Sequence, residues 1–369
     1  MKTFTLVILL ATCLSPIPAL AQAARTDTAA RQANFPSLLL EKNDRNACLT
    51  MLKEHKNWVT RFLWLVLINE GVRRGNAGNG NGALFAFQVA EDAAIQIGDN
   101  GLLAYALYRE GYEHFAERDT KGALSLYLQS KKLFEETKSI RDETLVLSEL
   151  GSLYILIGDY AEAESCSKES LALEESEGNN RPSVSGLPAR YGFARAWSNL
   201  GEVSFWEGDY DAAVSRLQKA RVFWETLGGQ SNTYGAYLVN TLIDLGNAYR
   251  MTGNYTQALE QLNLALNTAK ALGDKRRAAA SLVSIGVLYL DQRDDPKSEE
   301  FLNQSLPLFS ELKDIREIAS AEINKGVLMQ RLNKPGEATA AFQRALEQAG
   351  RVPAPDLTVA AEEGLGVVY

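Results

Sequence analysis

One pattern recurs along this chain at a nearly fixed interval. Its clearest copy reads Leu150-Gly151, Tyr154, Gly158-Asp159-Tyr160 and Ala163. Leu200-Gly201, Gly208-Asp209-Tyr210 and Ala213 repeat it, as do Leu245-Gly246, Tyr249, Gly253-Asn254-Tyr255 and Ala258. Weaker copies carry Gly71 with Ala83, Gly111 with Ala123, Gly286 with Tyr289, Gly326 with Ala338, and Gly366 with Tyr369. The anchor glycines at 71, 111, 151, 201, 246, 286, 326 and 366 are spaced by 40, 40, 50, 45, 40, 40 and 40 residues. A period in this range marks units that cannot bury their apolar faces alone and must stack on one another.

Each unit reads as two helices. In the unit anchored at Gly246, Leu238, Leu242, Leu245 and Tyr249 fall at helical spacing on a helix A from Tyr237 to Arg250. Ala258, Leu262, Ala265, Leu266 and Ala269 do the same on a helix B from Tyr255 to Leu272. Gly253-Asn254 makes the turn between them, and Gly98, Gly178, Gly228-Gly229 and Gly273 end the B helices. A glycine inside helix A costs about 1 kcal/mol against alanine. That cost, repeated at one phase, predicts that helix B crosses there too closely for a side chain. Ala90, Ser130, Ser170, Ala220, Ala265, Ser305 and Ala345 are small at the matching phase of helix B, and Tyr154, Tyr249 and Tyr289 fill the space beside them. These are packing residues rather than a cofactor site, and the fold class is all-α, antiparallel helix hairpins stacked in series.

These residues resemble the tetratricopeptide repeat (TPR) family over about residues 55–369, in seven A/B units and the start of an eighth. The family's usual unit has about 34 residues. The longer period here is similar to that of kinesin light chains and Leu-Gly-Asn repeat scaffolds. The resemblance implies a right-handed αα-superhelix with helix A on the concave face. It is almost silent on function, because one fold hosts many.

The flanks read differently. Lys2 precedes an apolar run from Phe4 to Leu14, which Ser15, Pro16 and Pro18 end; Ala19, Ala21 and Ala23 then suit signal peptidase. Residues 1–23 are therefore expected to be a signal peptide cut after Ala21 or Ala23, placing the protein in the periplasm or outside the cell. Residues 24–36 are polar and Ala-rich and read as a disordered leader. Residues 37–69 read as a capping helix and the first A helix, and 55–369 as the repeat array. Gly75 to Gly82 reads as a flexible turn, with no following Lys-Ser or Lys-Thr to make it a phosphate loop. Longer junctions at Gly178–Arg190 and Gly228–Gly235 read as surface loops. The last unit breaks off after its aromatic, so its neighbour's apolar face calls for a further domain or for self-association. Exported bacterial chains of this kind are similar to the repeat halves of proteins ending in a caspase-like CHAT domain. That similarity implies an alternative role, as the regulatory or substrate-binding half of a longer peptidase.

Composition excludes several chemistries. With 38 basic and 46 acidic side chains the net charge is −8, which argues against binding a nucleic-acid backbone. Two His and three Cys leave no Cys/His zinc site. Cys48 and Cys166 lie about three repeats apart, too far for a disulfide. Cys–His catalysis needs a thiol beside an oriented base. His55 follows Cys48 by two helical turns, about 10 Å, and His114 takes the aromatic phase of its repeat. Phe62 to Ile68 is too short to span a membrane. Asp159 and Asp209 read as helix caps, and Glu135-Glu136, Asp294-Asp295 and Glu362-Glu363 as solvated. No catalytic residue, metal or cofactor is expected.

The concave groove is the better candidate. Asn69, Arg109, Glu149, Asn199, Asp244, Ser284 and Asn324 sit two residues before the anchors. In kinesin light chains an Asn at this phase holds the backbone of an extended peptide, and the match covers Asn69, Asn199 and Asn324. Tyr108, Phe115, Arg195, Phe205 and Arg250 add aromatic and Arg side chains one turn away, of the types that anchor interfaces. The expected partner is a protein or peptide, bound by an exported interaction scaffold.

Overall fold

The computed structural model of the chain describes residues 19–176, 185, 190–228, 232–352 and 354–368. The expected signal peptide thus lies outside the described residues up to position 18, as do most of the 178–190 junction and residues 229–231 of the next. Two compact units divide the chain between Glu117 and Arg118. No strand occurs among the described residues.

The first unit holds α1 (Ala19–Lys42), α2 (Arg45–Glu54), a short 3-10 turn (Lys56–Trp58), α3 (Arg61–Asn76), α4 (Gly80–Ile97) and α5 (Asn100–Ala116). The stretch 24–36, expected as a disordered leader, instead lies within α1. The reason is at its far end, where Phe35, Leu39 and Leu40 are buried. The Phe35 ring stands edge-on to His55 at 5.4 Å and to Trp58 at 5.2 Å, and those two rings stack at 4.4 Å. The cap expected over residues 37–69 is accordingly built from three pieces, the end of α1, α2 and the 3-10 turn. Asp44 starts α2 by accepting from the Asn46 and Ala47 amides. The expected turn at 75–82 is shorter, because α3 runs through Asn76 and Asn79 caps α4 by accepting from the Gly82 amide at 3.0 Å.

The second unit contains A helices α7 (Ile140–Ile157), α9 (Tyr191–Trp206), α11 (Asn232–Met251), α13 (Lys275–Asp291), α15 (Ile315–Arg331) and α17 (Pro355–Val368). They alternate with B helices α6 (Thr120–Thr137), α8 (Tyr160–Ser176), α10 (Tyr210–Gly228), α12 (Tyr255–Ala271), α14 (Asp295–Leu312) and α16 (Pro335–Ala349). The junctions carry the chemistry read from the sequence. Asp159 and Asp209 accept from the Glu162 and Ala212 amides at 3.3 and 3.0 Å. Gly158 adopts φ +82°, which lets the Asp159 amide reach back to the Tyr154 carbonyl at 2.9 Å and close α7.

The anchor glycines meet helix B as expected. An added Cβ at Gly201, Gly246, Gly286 or Gly326 would fall 2.5–2.8 Å from Leu217, Leu262, Leu302 or Phe342. The small B-helix residues from Ala90 to Ala345 are fully buried, with Ser130, Ser170 and Ser305 among them. Gly151 departs from the rule, since its nearest neighbour is the Asn199 amide of the next A helix. Gly366 departs too: a Cβ there would meet nothing, and Gly364 packs on Phe342 instead. The core runs across hairpins, with Val239, Leu242, Leu262, Leu266, Leu282 and Ile285 in one cluster spanning α11, α12 and α13.

Candidate functional site: a polar cleft on the A helices

Within the second unit neighbouring A helices touch one another, and Glu149, Asn199 and Asp244, each two before its anchor, come to this shared face. Between α9, α11 and α13 the face opens into a cleft of about 290 Å³. Arg195, Asn199 and Asp244 line it, three of the residues selected from the sequence. Ser198, Glu202, Tyr237, Asn240 and Thr241 line it as well and were not selected. Their signal was present: 195, 198/199 and 202 on α9, and 237, 240/241 and 244 on α11, are polar stripes at helical spacing.

Most of these groups are matched. The Arg195 guanidinium donates to Ser152 Oγ at 2.5 Å, lies 3.4 Å from Glu149 Oε2 and sits 4.8 Å above the Tyr237 ring. Burial works against its charge, the Glu149 carboxylate overrides that, and the pKa lies above the ordinary value. Glu149 itself is buried, and its Oε1 accepts from the Tyr191 hydroxyl at 3.4 Å. Asn199 is 1% exposed. Its Nδ2 donates to the Ser148 carbonyl at 2.8 Å and its Oδ1 accepts from Ser152 at 3.1 Å. The amide expected to hold a peptide backbone therefore ties α7 to α9. Ser198 and Thr241 share a 3.2 Å hydrogen bond across α9 and α11, and Asn240 accepts from Arg277 Nε at 2.8 Å.

The two remaining carboxyls are different. Asp244 has no hydrogen-bond or ion-pair partner among the described residues, and its neighbour in charge is Glu202. Burial first, and then the Glu202 charge, hold its carboxyl well above the ordinary carboxylate range. Burial also raises Glu202, against the pull of Arg195 and a hydrogen bond from Trp206.

Beside the polar stripe runs an apolar one. Leu156, Trp206 and Met251 each follow Glu149, Asn199 and Asp244 by two helical turns and so share their face of α7, α9 and α11. They are 43%, 58% and 40% exposed.

The other selected residues do other work. Phe205 packs edge-on to Trp206 and Tyr210. Arg250 pairs with Asp291 at 2.5 Å. Asn324 donates to Ser320 of its own helix at 3.2 Å. In the first unit Asn69 is exposed, Tyr108 is buried, and Arg109 stacks 5.4 Å from both Phe87 and Tyr112.

An acidic cluster joins α6, α7 and α8. Glu135, read as solvated, lies with Glu143 and Glu169 so that carboxylate oxygens approach within 4.8 Å. Lys131 Nζ already bridges Glu135 at 2.9 Å and Glu169 at 3.0 Å, taking the place a cation would hold. Burial, then the two neighbouring carboxylates, push Glu143 up to about 7. Both described cysteines are buried free thiols; burial raises Cys48 and Cys166 to about 11, far from a reactive thiolate.

Stacked helix hairpins with a lined cleft on one helix face define a repeat-solenoid scaffold. Residues 146–181 and 237–311 match the tetratricopeptide repeat, and the second unit that holds them is a stack of TPR-like helix hairpins. It is 22% identical over 220 residues to the Tonsoku-like protein of Danio rerio, covering 58% of this chain and 14% of that protein's length. Its fold is similar to the apo quorum sensor NprR from B. thuringiensis, with a TM-score of 0.63, 14% identity, and coverage of 89% of this chain and 93% of that one. A Rap protein complexed with competence and sporulation factor gives a TM-score of 0.60 at 14% identity, over 90% and 92% of the two chains. At such identities the likeness is one of fold. No helix among the described residues is long and apolar enough to cross a membrane.

Proposed function

We propose that the second unit binds an extended peptide or protein segment along the A faces of α7, α9 and α11, as an interaction scaffold without chemistry of its own. The observation that carries this reading is the pairing of the polar cleft with the exposed row Leu156, Trp206 and Met251. A single scattered apolar side chain needs no explanation, but a row in register on three successive helices beside a cleft is the pattern of a binding surface. A Rap protein of similar fold in complex with competence and sporulation factor supports it by analogy of fold.

Peptide-display selection on the folded chain tests it. Selected binders should lose at least tenfold in affinity on Trp206→Ala, and less on Met251→Ala. Binders indifferent to both changes would remove the groove. The apolar run Phe4 to Leu14 and the small residues after it support action outside the cytoplasm. The mature protein from its host should then begin at Gln22 or Ala24 by intact mass, and retention of Met1 would refute export.

A further inference from the structure

The cleft has an unbalanced charge. Its one cation, Arg195, is already matched by Glu149 and Ser152. Ser198, Asn199, Asn240 and Thr241 all have partners. Across the cleft, Glu202 of α9 and Asp244 of α11 interact charge to charge, and Asp244, half-buried in the cleft wall, has no donor among the described residues. Asp244 has no counter-charge and Glu202 feels only the pull of Arg195, which Glu149 already engages, so the two half-buried carboxyls are costly to the folded chain. The group that would satisfy them is a cation carrying several N–H donors, which a guanidinium or an ammonium supplies.

Resting on the binding reading above, we infer that the cleft is a specificity pocket for one basic side chain, Arg or Lys, of the bound segment, held by Asp244 and Glu202. A side chain rather than a free amine is favoured by the neighbouring apolar row, which offers Leu156, Trp206 and Met251 to the residues flanking the basic one. Trp206 lies one helical turn beyond Glu202 on α9 and favours its charged form, so the apolar row and the carboxyl pair are neighbours. A planar guanidinium fits best, because it can donate to both carboxylates at once.

The test is a selection from a displayed random-heptamer library on the full chain, followed by titration of the best peptide and of its Arg→Gln and Arg→Glu versions. The expected result is a pool with Arg or Lys fixed at one position. Affinity should fall at least tenfold for peptide Arg→Gln or for protein Asp244→Asn, and the two losses should not add. Asp244→Lys should shift the selected position to Asp or Glu. A pool that needs Trp206 but shows no basic position would overturn the pocket and leave the groove standing. A pool insensitive to both Trp206→Ala and Asp244→Asn would overturn the groove as well. Spermidine or agmatine binding as tightly as the peptide, unaffected by Trp206→Ala, would mean a free-amine site and would also overturn the inference. Asp244→Asn removes the ionisable carboxyl without changing shape, and circular dichroism with thermal melting verifies that the variant is folded.

Discussion

Asn199 shows how a residue can be placed correctly and still be misread. Its phase on helix A was legible from the spacing of the glycines, and it does come to the cleft. Its partners were not legible, because the spacing of 50 residues between Gly151 and Gly201 fixes order along the chain and not the distance between two helices. The missing side chain at Gly151 is what lets the amide reach the Ser148 carbonyl. Asn199→Ala should therefore act on stability, by about 1–3 kcal/mol as a buried carbonyl loses its donor, readable as a lower urea midpoint. Little change in the midpoint would refute the strut role. Glu143 offers a pH test. Its proton is held more tightly in the fold, about 7 against an ordinary 4.5, so it costs nothing in acid and progressively more as pH rises through that window. Glu143→Gln should raise the Tm more at pH 8 than at pH 5, by roughly 2–4 °C for about 1 kcal/mol relieved. Equal gains at both pH values would contradict it.

At the scale of elements, the sequence was read best where one residue type answers one local need. The turn aspartates, the left-handed Gly158 and the small B-helix residues all do what their spacing implied. The N-terminal segment was misread because composition is a property of the whole stretch, whereas docking depends on Phe35, Leu39 and Leu40 at its end. The repeat logic predicts opposite outcomes for two glycines. Gly246→Ala would push a methyl within 2.6 Å of Leu262, an overpacking cost of about 1–3 kcal/mol that exceeds the gain of about 1 kcal/mol in helix propensity. Gly336→Ala meets nothing within 4 Å and should be neutral or stabilising. Thermal melts of the pair decide it, and a shared direction of change would break the close-approach account. Asp274 caps α13 by accepting from the Arg277 amide at 3.0 Å, so Asp274→Ala should cost about 1 kcal/mol.

At the scale of the molecule, a stack of hairpins shares its core only between neighbours, so damage should stay local. Leu262→Ala, about 2–5 kcal/mol in a fully buried position, should speed hydrogen exchange most in α11, α12 and α13 and progressively less along the second unit. Uniform loss of protection would mean that the unit unfolds as one block. The joints between A helices also differ in stiffness. Asn199, Ser152, Arg195, Glu149 and Tyr191 rivet α7 to α9. Less spans α9 and α11: the Ser198–Thr241 bond, the Arg195 charge over Tyr237, and the Tyr191 ring against Tyr234 and Tyr237. By this bonding the first joint is the tighter of the two, and Glu202 and Asp244 sit on opposite sides of the looser one. Anything that bridges those carboxyls would work as a clasp, so occupancy and bending would be one coordinate. Fluorophores on the exposed ends of α9 and α11 should register binding as a change in separation and a narrower spread, and the same pair on α7 and α9 should stay still.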